Sequence, residues 1–205
     1  MKKYFKLILI MMLAVTMLLT FVGCSGQTES ELSLSDLETV EYNNPHNGAT
    51  ITIPADWQVQ SEDEKTTVFL SSDGTISYLA QWELGGMSYF SKEELAGLAA
   101  DIGNTVLTDP VVYGSWELTD FDVAVKVVST GTMEDKAGKS ANAVCDASII
   151  QYFNDVRYYL VATTDAGTYA EYENVFMEIA QSFNVSLTED EVYQKMNEQN
   201  EIVEE

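Results

Sequence analysis

Between residues 41 and 187 apolar and polar positions alternate in short runs, separated by residues that favour turns. The plainest run is 75–83. Ile76, Tyr78, Ala80 and Trp82 fall on one side of a two-residue repeat, and Ser77, Gln81 and Glu83 on the other. This predicts a half-buried strand, because successive side chains of a strand point to opposite faces. A strand over 66–71 precedes it, and Ser72-Asp73-Gly74 between them is a hairpin signal, Asp-Gly readily adopting tight-turn backbone angles. Shorter strands at 50–53 and 57–60 flank the corner Pro54-Ala55-Asp56. Further β-prone runs cover 111–118, 122–130, 141–153 and 156–164, the last two joined tightly at Asn154-Asp155.

Two stretches change to helical spacing. Ser91 and Glu94 form a capping box ahead of the apolar stripe Leu95, Leu98, Ala99 and Ile102, and Gly103-Asn104 predicts the helix end. The second stretch carries Tyr169, Tyr172, Val175, Phe176, Ile179, Ala180 and Phe183. Thr188 and Glu191 offer another capping box within an acidic tail, 188–205, that reads either as a short helix through Val192, Tyr193 and Met196 or as disorder. Hairpin-linked strands with few helices define an α+β domain on a mostly antiparallel sheet.

The amino terminus follows a different pattern. Lys2 and Lys3 precede an apolar run from Leu7 to Phe21, and Gly23-Cys24-Ser25-Gly26 follows it. A basic start, an apolar core and small residues at the cut describe a secretory signal peptide over 1–23. The cysteine after the cut resembles the bacterial lipobox, with Phe21 where leucine is usual, and makes Cys24 the expected lipidation site. The rival readings are an uncleaved signal anchor, for which the run falls short of roughly 20 apolar residues, and an ordinary signal peptide cut elsewhere. Acylation at Cys24 places the chain at the extracytoplasmic face of the cell membrane, since more than one acyl chain gives stable anchoring. Residues 24–40 are rich in Ser and Glu and read as a flexible acidic tether of roughly 20–25 Å.

Charge narrows the partners. Lysine and arginine total 10 against 33 aspartates and glutamates, a formal net charge of −23, and Lys2, Lys3 and Lys6 leave with the leader. Nucleic acid and anionic headgroups are bound by clustered Lys and Arg, which this chain lacks. The negative field favours solubility and draws cationic partners. With Cys24 acylated, Cys145 has no cysteine to pair with.

Two motifs at the ends of the domain carry a resemblance. The first is Tyr42-x-x-Pro45-x-x-Gly48-x-x-Ile51-x-Ile53-Pro54-x-x-Trp57; the second is Tyr172-x-x-x-Phe176-x-x-Ile179-x-x-Ser182-Phe183. Together they resemble the PsbP-like family, a fold that recurs in bacterial lipoproteins. The resemblance spans roughly 41–185 and implies an antiparallel sheet sandwiched by helices, an α/β/α arrangement. It also implies docking and assembly rather than catalysis. No segment matches the photosystem-binding extension of the plant subunit.

Candidate chemistry is sparse. His46 is the only histidine and sits in the loop 43–48, so a two-histidine zinc site is excluded. Cys145 lies within an apolar alternation with Ala143, Ala147 and Ile149, as a buried inert thiol would. Asp120 and Asp122 flank Phe121 in an expected turn without a calcium loop's ligand spacing, and 62–65 reads as a charged hairpin tip. Gly85-Gly86 lacks the lysine of a phosphate-binding loop. Aromatics concentrate at Trp82, Tyr89, Phe90, Tyr113 and Trp116, of which Trp82, Tyr89, Tyr113 and Trp116 are the candidate contacts for a partner or ligand. These observations lead to a non-enzymatic lipoprotein without metal or cofactor that binds an envelope component. The alternative is a lipoprotein holding a small molecule in an aromatic-lined pocket.

Overall fold

The computed structural model describes residues 32–84, 90–134, 138–152 and 156–194. In chain order the elements are β1 (Thr39–Asn43), β2 (Ala49–Pro54), β3 (Gln58–Glu62), β4 (Thr66–Leu70), β5 (Ser77–Leu84), α1 (Lys92–Val106), β6 (Thr108–Glu117), β7 (Val123–Glu134), β8 (Ser140–Tyr152), β9 (Val156–Asp165), α2 (Ala166–Gln181) and β10 (Asn184–Val185). The main sheet has seven antiparallel strands in the order β3-β4-β5-β9-β8-β7-β6, and a small sheet pairs β1 and β10 on either side of β2. The architecture is α+β, a mostly antiparallel sheet covered on both faces.

One face carries α1, whose Leu95 and Ala99 pack with Val125, Val127, Ala147, Ile149 and Val161. The other carries α2 and the small sheet, with Phe176, Ile179, Trp57 and Ile53 against Phe69, Tyr78, Val128, Ile150 and Leu160. Burial on both faces explains why β7, β8 and β9 read as nearly continuous apolar runs. The faces of 75–83 fall as its repeat requires, with Ile76, Tyr78 and Trp82 all in the second cluster. Gly74, at φ 76°, supplies the left-handed residue of the β4–β5 hairpin.

Local chemistry explains the helix ends. Ser91 and Glu94 exchange their capping bonds at the start of α1. The helix does not stop at Gly103-Asn104; it runs to Val106. Gly103 is buried against β7, where a Cβ would lie 2.5 Å from Ser129 Oγ, so this glycine serves close helix–sheet approach instead of a terminus. At α2, Asp165 caps the amides of Gly167 and Thr168. Thr188 and Glu191 form their capping box, and residues 189–194 are helical.

Residues 32–43 include the end of the stretch read as tether, and they are docked on the domain. Ser33–Asp36 forms a capped 3-10 turn whose Leu34 is buried in the α2-side cluster. Ser33 Oγ donates to Glu178 Oε1 at 3.0 Å, and Leu34 N donates to Oε2 of the same carboxylate at 2.5 Å. β1 follows at once, with Thr39 opposite Pro54 and Asn43 opposite Thr50. Val40 and Tyr42 alternate with Thr39, Glu41 and Asn43, but so short and mostly exposed a strand does not stand out from the polar stretch before it. The signal region 1–23, Cys24 and the rest of the tether to 31 lie outside the described residues, as do Gly85-Gly86, Asn154-Asp155 and the end of the tail. No helix among the described residues is long and apolar enough to cross a membrane.

Candidate functional site

Among the described residues β6 is an edge strand, and one of its sides has no hydrogen-bonded neighbour in the sheet. Four of its side chains are large, apolar and exposed: Val111 at 65%, Val112 at 50%, Tyr113 at 69% and Trp116 at 38%. The opposite edge, β3, is mostly polar. Cross-strand pairing places Trp116 opposite Lys126 on the α2 face of the sheet, and Glu117 opposite Val125 on the α1 face. There Lys92 Nζ from the first turn of α1 meets Glu117 Oε2 at 2.5 Å. The Trp116 indole lies over Gly114, two residues back on the same face.

The strand is interrupted twice. Its register with β7 shifts between Thr108 and Val111 and again between Val112 and Gly114, and Asp109 has φ 51°, a left-handed conformation that aspartate tolerates better than most residues. Such bulges limit flat, indiscriminate edge pairing. Exposed carboxylates flank the apolar stretch at Asp109, Glu117, Asp120 and Asp122, and Asp120 and Asp122 sit in the turn after β6.

The four aromatic candidates therefore separate. Trp82 is 1% exposed, its indole Nε1 donating to Glu64 O at 2.7 Å, and it is a core residue rather than a contact for a partner. Tyr89 lies outside the described residues. Tyr113 and Trp116 share the β6 edge. Neither of two hollows among the described residues is lined by Trp82, Tyr113 or Trp116: one, of about 20 Å³, lies between Tyr42, Asn44, Thr67, Tyr158 and Phe183 and has room for a single water. An open polar hollow lies beside Glu38, Asp56 and Tyr172.

The other candidates serve the fold. Asn44 Oδ1 accepts from His46 N and Asn47 N, tying the 43–48 loop, while Gly48 at φ 69° lets Leu187 approach. Cys145 is buried in β8 on the α1 face, and burial pushes its thiol well above the usual range. Asp63 Oδ1 accepts from Lys65 N and Thr66 N at the charged hairpin tip. Among the described residues no three His, Cys, Asp or Glu side chains converge as a metal site.

A buried polar cluster went unread in the sequence. Lys126 and Asp146 meet at 2.8 Å under α2, with side-chain exposures of 1% and 3%. Tyr169 of α2 donates to Asp146 Oδ2 at 3.3 Å, and full burial, followed by the nearby Asp146 charge, pushes the Tyr78 phenol up. Burial outweighs Lys126 and raises the Asp146 carboxyl above the ordinary carboxylate range. The available signal was a single lysine inside the apolar run Val123-Ala124-Val125-Lys126-Val127-Val128. A similar polar corner closes the other face, where Arg157 lies 4.3 Å over the Phe90 ring and donates to Glu83 at 3.0 Å, fixing the entry to α1.

Comparison with solved structures places this arrangement. The Ran-binding protein Mog1p of Saccharomyces cerevisiae superposes with a TM-score of 0.54 at 12% identity, over 73% of this chain and 96% of that one. CyanoP, the cyanobacterial PsbP of Synechocystis sp. PCC 6803, gives a TM-score of 0.51 at 11% identity, over 80% and 98%. The fold is PsbP/Mog1-like. No protein-family profile and no curated protein matches the sequence. At such identities the likeness concerns the fold alone, in agreement with the resemblance carried by the 42–57 and 172–183 motifs.

Proposed function

We propose that this protein is a non-catalytic binding module, lipid-anchored through Cys24 at the outer face of the cell membrane, that holds an extracytoplasmic protein by adding a strand to β6. The observation that carries this reading is the row Val111, Val112, Tyr113 and Trp116 on an unpaired sheet edge. In strand addition the backbone supplies the hydrogen bonds and alternate side chains supply specificity. The leader pattern and Cys24 support the address, because a basic start, an apolar run and a cysteine after small residues match lipoprotein processing.

The charge around the edge selects the occupant. Asp109, Glu117, Asp120 and Asp122 surround the apolar stretch, and the nearby cation Lys92 is already engaged by Glu117. A second copy would bring the same carboxylates and another strongly acidic chain. The fitting partner is an extended segment with apolar residues at alternate positions and Lys or Arg at its ends, steered by the negative field.

The test is a photo-reactive phenylalanine derivative in place of Tyr113 in the full chain, irradiated in intact cells. Adducts on one basic segment of an extracytoplasmic protein, absent when the probe replaces Glu171 on α2, support the reading. Equal adducts from both positions overturn it. Fractionation and the mass of the Cys24 peptide check the anchor: an unacylated, cytosolic product overturns that half of the proposal.

A further inference from the structure

Lys126 and Asp146 sit on adjacent strands, on the face covered by α2, where β7 and β8 pair Val128 with Asp146 and Lys126 with Ser148. Their neighbours Ala124, Val128, Ala162 and Tyr78 are all buried and belong to the same apolar cluster. The Lys126 ammonium has three donors, yet beyond the Asp146 carboxylate it has no hydrogen-bond partner among the described residues. An ion pair removed from water recovers its desolvation cost only when its remaining hydrogen-bonding groups are also satisfied, and here they are not. A second carboxylate is at hand. Glu173 lies one turn beyond Tyr169 on α2, the spacing at which helix side chains meet, and it shares the single Tyr169 hydroxyl proton with Asp146. That hydroxyl stands between Glu173 and Asp146.

We infer that Lys126 and Asp146 become joined by an intramolecular isopeptide bond, formed by the folded chain itself. The proton passes from the Lys126 ammonium to the Asp146 carboxylate, leaving an amine against a carboxylic acid. Nζ attacks Cγ, a C–N bond forms, one C–O bond breaks, and the departing oxygen leaves as water with both protons shed by nitrogen. Nothing is oxidised or reduced, and the two opposite charges vanish together. Glu173 relays protons through Tyr169 during collapse of the tetrahedral intermediate. The apolar surroundings favour the reaction, because amide and water replace two buried charges. Burial holding the Asp146 carboxyl toward its protonated form acts in the same direction. The product would strap β7, which carries the exposed β6 edge, to β8 in the middle of the sheet.

The test is a tryptic map of the purified full chain after denaturation. The expected result is a branched peptide in which 93–136, uncut at Lys126, is joined to 140–157, lighter than the sum of the two by one water. Complete cleavage after Lys126, with an unmodified 140–157 peptide, overturns the inference. In Glu173→Gln, a conservative change at a partly exposed position, linkage should slow by about a hundredfold or more at an unchanged melting temperature. Linkage at the parental rate in that variant overturns the assignment of Glu173. Asp146→Asn separates bonding from folding: the same branched peptide should appear by loss of ammonia, and its absence from the folded variant counts against the mechanism.

Discussion

The indole of Trp116 rests over the backbone of Gly114, so closely that a Cβ on Gly114 would lie 2.2 Å from the six-membered ring. The glycine lets a large, partly exposed aromatic lie flat along an edge strand. Gly114→Ala is expected to lift the ring off the strand and weaken partner binding about tenfold, while shifting stability by no more than about 0.5 kcal/mol. Acrylamide quenching reports the change directly, because Trp57 and Trp82 are buried and Trp116 is exposed. An unchanged quenching profile would show that the ring does not depend on the glycine.

The Ser33–Glu178 contact makes the docked segment part of the folding unit. Leu34→Ala should cost about 2–3 kcal/mol by leaving a hole beneath the 3-10 turn. Glu178→Ala should cost about 1–2 kcal/mol by stranding the Ser33 hydroxyl and the Leu34 amide. Urea unfolding followed by far-UV circular dichroism measures both. Wild-type stability in Leu34→Ala would return residues 32–38 to the tether.

Asp73 links stability to acid. Burial opposes its ionisation, but bonds from Thr75 N, the Ser71 hydroxyl and the Thr75 hydroxyl outweigh burial and hold its carboxyl below the ordinary range. With the folded value lowered, the unfolded state takes up protons first as pH falls. The Asp73 contribution is therefore full above about pH 4 and is lost progressively below it. Asp73→Ala should cost about 1 kcal/mol near neutrality and progressively less as pH falls below about 4. Melting temperatures of the two proteins across that range should converge; parallel curves would show that the charge is not what holds the turn.

Cys145 should be inert while the domain is folded. Its side chain is buried between β8 and α1, and its raised thiol leaves almost no thiolate near neutral pH. Iodoacetamide should leave the Cys145 thiol unmodified in native buffer and alkylate it fully in guanidinium. Rapid native alkylation would reopen a nucleophilic role for this residue.

Legibility in the sequence follows the range of the interaction. Ser91 with Glu94, Asp73 with Gly74, and the alternation of Ile76, Tyr78 and Trp82 are local, and each could be read from neighbouring residues. β1 escaped because Thr39–Asn43 is a mostly exposed strand stabilised by pairing with β2, a partner defined only by the fold. The aromatic candidates were ambiguous for a related reason. Trp82 and Trp116 occupy similar strand patterns, but β5 falls inside the sheet and β6 at its edge. Lys126 and Asp146 are 20 residues apart by number and become neighbours only through the β7–β8 register. The candidate site is thus a product of strand order more than of motif.

The central claim, that the β6 edge receives a basic extended strand, is tested most directly by amide hydrogen exchange. The full chain would be compared with and without the segment recovered by cross-linking, presented as a synthetic peptide. The expected result is slowed exchange confined to 111–117, weakening as salt is raised because flanking charges are screened. Unchanged exchange across 111–117, or protection appearing only on α2 and the small sheet, would contradict it.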